Sequence, residues 1–226
     1  MMNRPFCVYC GTPDPLTMDH SPPRSLFPEK LPTDTRMVTA PACQPCHDAN
    51  MKDDTTVRNI LISTQESERH PAVIHTLAGK RNRSLERSVE RSGADLQGLL
   101  QTMTLVDVRT PAGIYIGKNW AFNFDSPVMN RFIERLSRAL LWYEFQEPYF
   151  RGAFAWRINV ELPAPVYEGI QRFGRLRNVH DVFAYGLTHL RDDSPSWIVA
   201  NFYASIEFLI SVTRTEQFRP TNPHGR

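Results

Sequence analysis

The chain has 226 residues, of which 41% are hydrophobic and 22% are charged, and its net charge at neutral pH is +2. This composition predicts a folded globular protein and excludes a largely disordered chain, which would combine low hydrophobicity with high net charge. A protein that held duplex DNA mainly by bulk charge would be more basic, so any nucleic-acid contact must come from a local patch or a metal. The sequence has no apolar run long enough for a membrane span and no apolar segment near Met1 typical of secretion, so we expect a cytoplasmic protein.

All the cysteines lie near the start of the chain, as two Cys-x-x-Cys pairs: Cys7, Cys10, Cys43 and Cys46. Because a cytoplasmic chain does not keep disulfides, this spacing predicts four thiolates around one structural zinc ion. A redox pair and four unrelated buried thiols are the alternatives, but a redox site normally needs one pair that follows a strand of a βαβ unit. A zinc ion would also stabilise a segment of about 60 residues that buries too little apolar surface alone.

Polar residues suited to phosphodiester hydrolysis lie between and after these pairs. Asp19 and His20 precede a proline-rich turn, and adjacent residues of a strand point to opposite faces, so the two can serve different tasks. Asp19 offers a hard oxygen ligand for a divalent cation, and histidine is the usual general base near neutral pH. A helix predicted over residues 44–60 would carry His47 and Asn50 on one face, towards the zinc end.

In this order, the motifs Cys-x-x-Cys, Asp-His-Ser-Pro and Pro-Ala-Cys-x-x-Cys-His with a following lysine resemble the HNH endonucleases, whose core is a ββα-metal fold. The resemblance covers residues 5–56. It implies that His20 is the general base and that Asp19 and His47 hold a catalytic Mg²⁺ or Mn²⁺ ion, with Asn50 in the same site. The four cysteines would form a separate zinc site.

One position departs from the family pattern. Many family members have an asparagine that holds the loop carrying the base, and this chain has Val38 there. Arg36, Thr39 or a main-chain group could orient His20 instead. Without the cysteine pairs, Asp19 and His20 would be read as ordinary turn residues. The acidic residues of the following helix are interpreted as solvated positions: Asp48, Asp53 and Asp54.

Six cations are candidates for nucleic-acid contact: Arg24, Lys52, Lys80, Arg81, Arg83 and Arg87. Arg24 could hold the scissile phosphate, or it could be a plain surface arginine after two prolines. The last four belong to a helix predicted over residues 80–102, where Arg83, Arg87 and Arg91 recur every four residues and Lys80 and Arg81 extend the stripe. Glutamates interleave with them, so a salt-bridged solvent face is the alternative interpretation.

The rest of the chain predicts an α+β domain with an antiparallel sheet. Residues 65–71 read as a linker or helix end, and Ser126 before Pro127 predicts the start of a long amphipathic helix that runs to about residue 147. A short helix is expected over 166–173. The alternating segments predict strands at 105–109, 113–117, 120–124, 155–162, 182–190, 197–203 and 206–212.

We therefore expect an α+β protein with four parts: a zinc-bound HNH core over 1–64, a helical and partly basic connector over 65–102, an α+β domain over 103–218, and a disordered tail over 219–226. The expected activity is metal-dependent hydrolysis of DNA. The alternatives are an RNase, and a non-catalytic zinc module that binds nucleic acid or a protein. The C-terminal domain shows no catalytic motif, and target choice, homo-oligomer formation or binding of a protein partner are its candidate roles.

Overall fold

The computed structural model describes residues 6–13, 16–147, 150–188 and 195–217. They form a mixed structure of helices and antiparallel sheets, as the sequence predicts. The helices are α1 (Gln44–Leu61), α2 (Ala78–Arg91), α3 (Ala94–Gln101), α4 (Pro127–Phe145) and α5 (Ala164–Phe173). The strands are β1 (Leu16–His20), β2 (Thr39–Cys43), β3 (Met103–Arg109), β4 (Tyr115–Phe122), β5 (Phe150–Ile158), β6 (Arg175–Val179), β7 (Phe183–Thr188), β8 (Ser196–Phe202) and β9 (Ile206–Gln217).

The N-terminal segment is a hairpin followed directly by a helix. β1 pairs antiparallel with β2, with a register that runs from Leu16 opposite Cys43 to His20 opposite Thr39. α1 begins immediately after Cys43, and a proline in its first turn suits a helix start because that position needs no donor. The observed helix agrees with the prediction over 44–60 to within one residue.

The helical connector is more divided than predicted. The single helix expected over 80–102 is two helices, because Gly93 adopts a left-handed conformation with φ of 69° between α2 and α3. The expected linker over 65–71 contains a short 3₁₀ turn at Ser67–Arg69, and a π-helical turn at Val73–Leu77 leads into α2.

The large sheet has the strand order β5-β9-β8-β7-β6, with antiparallel pairing throughout. α4 packs on one face and α5 on the other, because successive side chains of each strand alternate between two hydrophobic clusters. Ser126 caps α4 as predicted, since its hydroxyl accepts a hydrogen bond from the Met129 amide at 3.3 Å. Three details differ. β6 is not among the predicted strands, the strands expected at 113–117 and 120–124 are the single strand β4, and the strand expected at 155–162 is β5, which begins and ends earlier.

One hydrophobic cluster joins α1, α4 and the large sheet, and it includes Val57, Phe132 and Phe202. The core therefore crosses the boundaries predicted at residues 64 and 102. A buried hydrogen bond also links the two ends of the chain, because the Tyr203 hydroxyl donates to the Leu26 carbonyl at 2.9 Å. Leu26 closes a short 3₁₀ turn, Arg24–Leu26, in the loop after β1. The tail predicted over 219–226 lies outside the described residues.

The hairpin β3–β4 forms a two-stranded sheet of its own within the described part of the chain. Apolar side chains are exposed on it, among them Leu105, Ile116 and Trp120. In the same described ranges, no helix has both the length and the apolar character that crossing a membrane requires.

Candidate metal centre and catalytic site

The four cysteines converge where the hairpin meets α1. Cys7 and Cys10 lie on a turn before β1, in which the Gly11 amide donates to the Cys7 carbonyl at 2.8 Å. Cys43 ends β2, and Cys46 lies in the first turn of α1. The four sulfur atoms all lie within 4.8 Å of one another, so the predicted four-cysteine group is confirmed.

The cluster suits a structural zinc ion. Cys10 Sγ and Cys43 Sγ are 3.6 Å apart, and four sulfurs at about 2.3 Å from a tetrahedral zinc are separated by about 3.8 Å. All four cysteines are free thiols rather than disulfides. Burial acts to raise the pKa of Cys10, but hydrogen bonds with Thr12, Cys7 and Cys43 lower it to about 7. Burial raises the pKa of the Cys7 and Cys46 thiols, so loss of all four protons requires the positive charge of a bound metal ion. The all-sulfur ligand set favours zinc over harder cations.

A second polar cluster forms around Asp19, which is buried near the end of β1 and only 6% exposed. His47 Nδ1 lies 3.1 Å from Asp19 Oδ1, and Asn50 Nδ2 donates to Asp19 Oδ2 at 2.9 Å. His47 and Asn50 meet the carboxylate together because residues three apart share one face of α1. The structure therefore brings three of the four predicted catalytic residues into direct contact.

His20, the fourth, is the last residue of β1 and is half-buried. As the neighbour of Asp19 on a strand, it lies on the opposite face of the hairpin. The chain directly after it is held by the backbone, since the Ser21 amide donates to the Val38 carbonyl at 3.1 Å. A main-chain group at Val38 itself therefore fixes the chain beside His20. The sequence did not reveal which group orients His20, because a main-chain carbonyl is present at every position whatever the residue type.

Two acidic residues of α1 are not solvated, which corrects the interpretation from sequence. Asp54 forms an ion pair with Arg135 of α4, whose side chain is only 6% exposed. Asp53 pairs with Arg131, one turn earlier on α4, through two hydrogen bonds of 2.7 and 2.8 Å. The partners are about 80 residues distant in sequence, so no local pattern could reveal them. Asp48 is exposed, as expected.

These ion pairs extend the polar cluster around Asp19 towards α4. The Tyr9 hydroxyl is buried, and burial together with the negative charge of Asp19 raises the pKa of Tyr9 well above its usual range. Tyr9 therefore stays protonated near the carboxylate. Burial also raises the pKa of Asp54 to about 6, against the opposing effect of Arg135 and with a further contribution from the charge of Asp19.

The raised pKa of Asp54 predicts a pH-dependent stability. The folded protein holds the proton of Asp54 more tightly than the unfolded chain does, so the protonated carboxyl contributes to the free energy of unfolding. This contribution is fully present below about pH 4 and is lost as the pH rises through about 6. We expect the free energy of unfolding of the wild type, relative to Asp54→Asn, to fall between pH 4 and 6 and to be level above that range. Urea unfolding of both proteins across this range measures the difference, and Asp48→Asn is the exposed control. A difference that does not change with pH would contradict the prediction.

The candidate nucleic-acid contacts near the hairpin differ in their surroundings. Arg24 donates to the carbonyls of Pro28 and Glu29 at 2.5 and 2.6 Å, so its guanidinium supports its own loop. Lys52 is exposed on α1.

The other four candidates lie on α2, a different element from those that carry Asp19, His20 and His47. Lys80 pairs with Glu29 at 3.5 Å. Arg81 donates to the Ser63 hydroxyl at 2.8 Å, and Arg87 donates to the Arg83 carbonyl at 3.1 Å. Arg83 and Arg87 are exposed. Part of the predicted basic surface is thus engaged in contacts within the chain.

The cysteine cluster and the Asp19 cluster are adjacent because α1 supplies Cys46 to the first and His47 and Asn50 to the second. The spacing of the cysteines and of Asp19, His47 and Asn50 in the sequence was enough to predict them as site residues. The positions of Tyr9, Asp54 and Arg135 near this site became known only from the fold. Comparison with known protein families, with characterised proteins and with solved structures finds no match for this chain.

Proposed function

We propose that this protein is a metal-dependent endonuclease of the HNH type that hydrolyses phosphodiester bonds in DNA. The observation that carries the proposal is the buried Asp19 carboxylate, contacted by His47 and Asn50 next to a four-cysteine cluster. The order of hairpin and helix around these residues also fits the ββα-metal core of the nucleases that the sequence resembles.

The spacing of the proposed ligand atoms suits a hard divalent cation. Asp19 Oδ1 and His47 Nδ1 are 3.1 Å apart, and two neighbouring ligands about 2.1 Å from an octahedral Mg²⁺ are about 3.0 Å apart. His47 would keep its proton on Nε2, which leaves the Nδ1 lone pair free for the cation. A bound Mg²⁺ or Mn²⁺ would supply positive charge to stabilise the phosphate and the leaving 3′ oxygen.

His20 takes a proton from a water molecule, whose oxygen attacks the phosphorus in line. The new bond joins the water oxygen to phosphorus, and the bond from phosphorus to the 3′ oxygen breaks. The leaving 3′ oxygen takes a proton from solvent water, so the products are a 5′-phosphate and a 3′-hydroxyl. Asn50 has a positioning role, because its hydrogen bond fixes the Asp19 oxygen that does not face His47.

The same contacts favour a second candidate, a non-catalytic zinc module that binds nucleic acid or a protein. Asp19 is buried and both its oxygens are hydrogen-bonded, which is what a purely structural polar network requires. An RNase is the alternative within the catalytic class, since this chemistry does not itself select the sugar.

Cleavage of plasmid DNA and of RNA, with Mg²⁺, Mn²⁺ or EDTA, tests the proposal. We expect Asp19→Ala and His47→Ala each to lower the rate of DNA cleavage by about a hundredfold or more, because each removes a ligand of the cation. The zinc content should stay unchanged in both variants. Asp48→Ala is the matched control, since Asp48 is exposed and follows His47 directly.

The possible outcomes separate the candidates. Wild-type protein that cuts neither DNA nor RNA with any of these metals would favour the non-catalytic module. Cleavage of RNA alone would assign an RNase. If either variant kept the wild-type rate at saturating Mg²⁺, that residue would not be a ligand of the cation.

A further inference from the structure

A cleft of about 670 Å³ lies between the start of α2 and the exposed hairpin β3–β4. Its volume is within the range of small-molecule sites. Its apolar wall includes Trp120 and Phe122 of β4, and its polar lining includes Arg81, Asn82 and Asn119. The Asp19 cluster and the cysteines contribute nothing to its lining, so the proposed function leaves this cleft without a role.

Trp120 is the feature that most needs an explanation. Its side chain is 59% exposed, although it lies opposite Leu105 in a regular antiparallel pairing. The other tryptophans, Trp142, Trp156 and Trp197, are each partly buried against a hydrophobic cluster. An exposed indole beside a cleft is a ready platform for stacking a planar ring.

The amide groups of the cleft favour a ligand that accepts hydrogen bonds. Asn82 Oδ1 already accepts from Arg81 Nε at 3.2 Å, and Asn119 Oδ1 accepts from the Trp120 amide at 2.9 Å. Within the described residues, neither amide nitrogen donates a hydrogen bond to the protein. Asn82, on α2, is therefore available as a donor in the cleft, and the edges of nucleobases carry matching acceptors. Asn119 neighbours Trp120 on β4, so its side chain leaves the strand on the opposite face.

The charges at the cleft argue for an uncharged ring rather than a phosphate. One cation, Arg81, and one anion, Glu68, belong to the part of its lining that the structure describes. Arg81 also donates to the Ser63 hydroxyl, which ties the guanidinium to the wall. A phosphate would gain little from this balanced pair, because attraction by Arg81 is offset by repulsion from Glu68.

We propose that this cleft binds one unpaired nucleobase of a single-stranded nucleic acid, with Trp120 stacking on the ring and Asn82 donating to its edge. The inference rests on the proposed function for its choice of ligand class. The base must be unpaired, because a base within a duplex has both faces stacked and is not free to enter a cleft. The cleft would thus give the protein a preference for substrates with single-stranded or distorted segments.

Binding of fluorescently labelled strands to Trp120→Ala tests the inference, in the absence of added Mg²⁺ or Mn²⁺ so that no cleavage is required. One strand is oligothymidylate of about 16 nucleotides, and the other has the same backbone without bases. We expect Trp120→Ala to weaken binding of the thymidylate strand by about 5-fold to 100-fold and to leave binding of the abasic strand unchanged. Trp120→Phe should recover part of the loss, because it retains an aromatic face.

Tyr167→Ala is the matched control, since Tyr167 is 55% exposed on α5 and does not line the cleft. Equal affinity of wild type and Trp120→Ala for the thymidylate strand would overturn the inference. So would an equal loss for both strands, or a variant that changes only the oligomeric state, as seen by light scattering. Base-dependent binding by a protein that never cuts nucleic acid would support the cleft and overturn only the nuclease proposal.

Discussion

His20→Ala is expected to lower the single-turnover rate of DNA cleavage by about a hundredfold or more. The mutation removes the proposed general base, which would accept the proton of the attacking water. The Asp19–His47 pair and the cysteine cluster stay in place, because His20 lies on the opposite face of β1 from Asp19. DNA affinity should change little, since phosphate contacts come mainly from cationic side chains and the metal.

The rate, a DNA-binding isotherm and a melting curve must be measured on the same variant. His75→Ala is the control, because His75 is exposed on the π-helical turn before α2. A purely structural role of His20 predicts a different result, in which stability and binding fall together and the chemical step is not selectively affected. Full single-turnover activity in His20→Ala would overturn the proposed role of His20 as general base.

Cys43→Ser is expected to remove the zinc and to unfold the N-terminal region. Cys43 connects three features, because it ends β2, immediately precedes α1 and contributes one of the four sulfurs. In comparable zinc sites the ion contributes about 10 kcal/mol or more to the free energy of folding. This exceeds the free energy of unfolding of many whole domains. Because α1 belongs to the same core as α4 and the large sheet, we expect the loss to lower the melting temperature of the entire chain.

Elemental analysis and thermal unfolding check this result, with one zinc per chain expected for the wild type. Gln44→Ala is the matched control, since Gln44 is exposed and directly follows Cys43. It should keep its zinc. A metal-free Cys43→Ser protein that melts like the zinc-loaded wild type would contradict the structural role of the ion.

Features that depend on neighbouring residues were predicted from the sequence, whereas contacts between residues distant in the chain were not. Local signals predicted α1 and the capped start of α4, because capping and helix periodicity are decided within a few residues. The meeting of Asp19 with His47, which are 28 positions apart, was expected from the resemblance to a known family and not from local geometry, since a long loop joins β1 to β2. β6 was missed because its residues are mostly exposed and show no clear apolar alternation.

Long-range contacts were not predictable from the pattern. The Asp54–Arg135 pair joins residues 81 positions apart, and each residue alone has the character of an ordinary surface charge on a helix. The same holds for the single hydrophobic core, because an amphipathic face shows that a helix is buried without showing against what. The cleft beside Trp120 likewise depends on how the hairpin folds against α2.

The hydrogen bond from Tyr203 to Leu26 has a consequence for the timing of protein synthesis. The two residues are 177 positions apart, and translation at about 5 to 20 residues per second needs about 9 to 35 s to add that many. Throughout this interval the loop that follows His20 lacks the hydroxyl that holds it in the finished protein. The ribosome must therefore add most of the chain before the loop beside the proposed general base is fully fixed. A nascent chain, or one shortened before Tyr203, is accordingly expected to lack the fixed form of this loop.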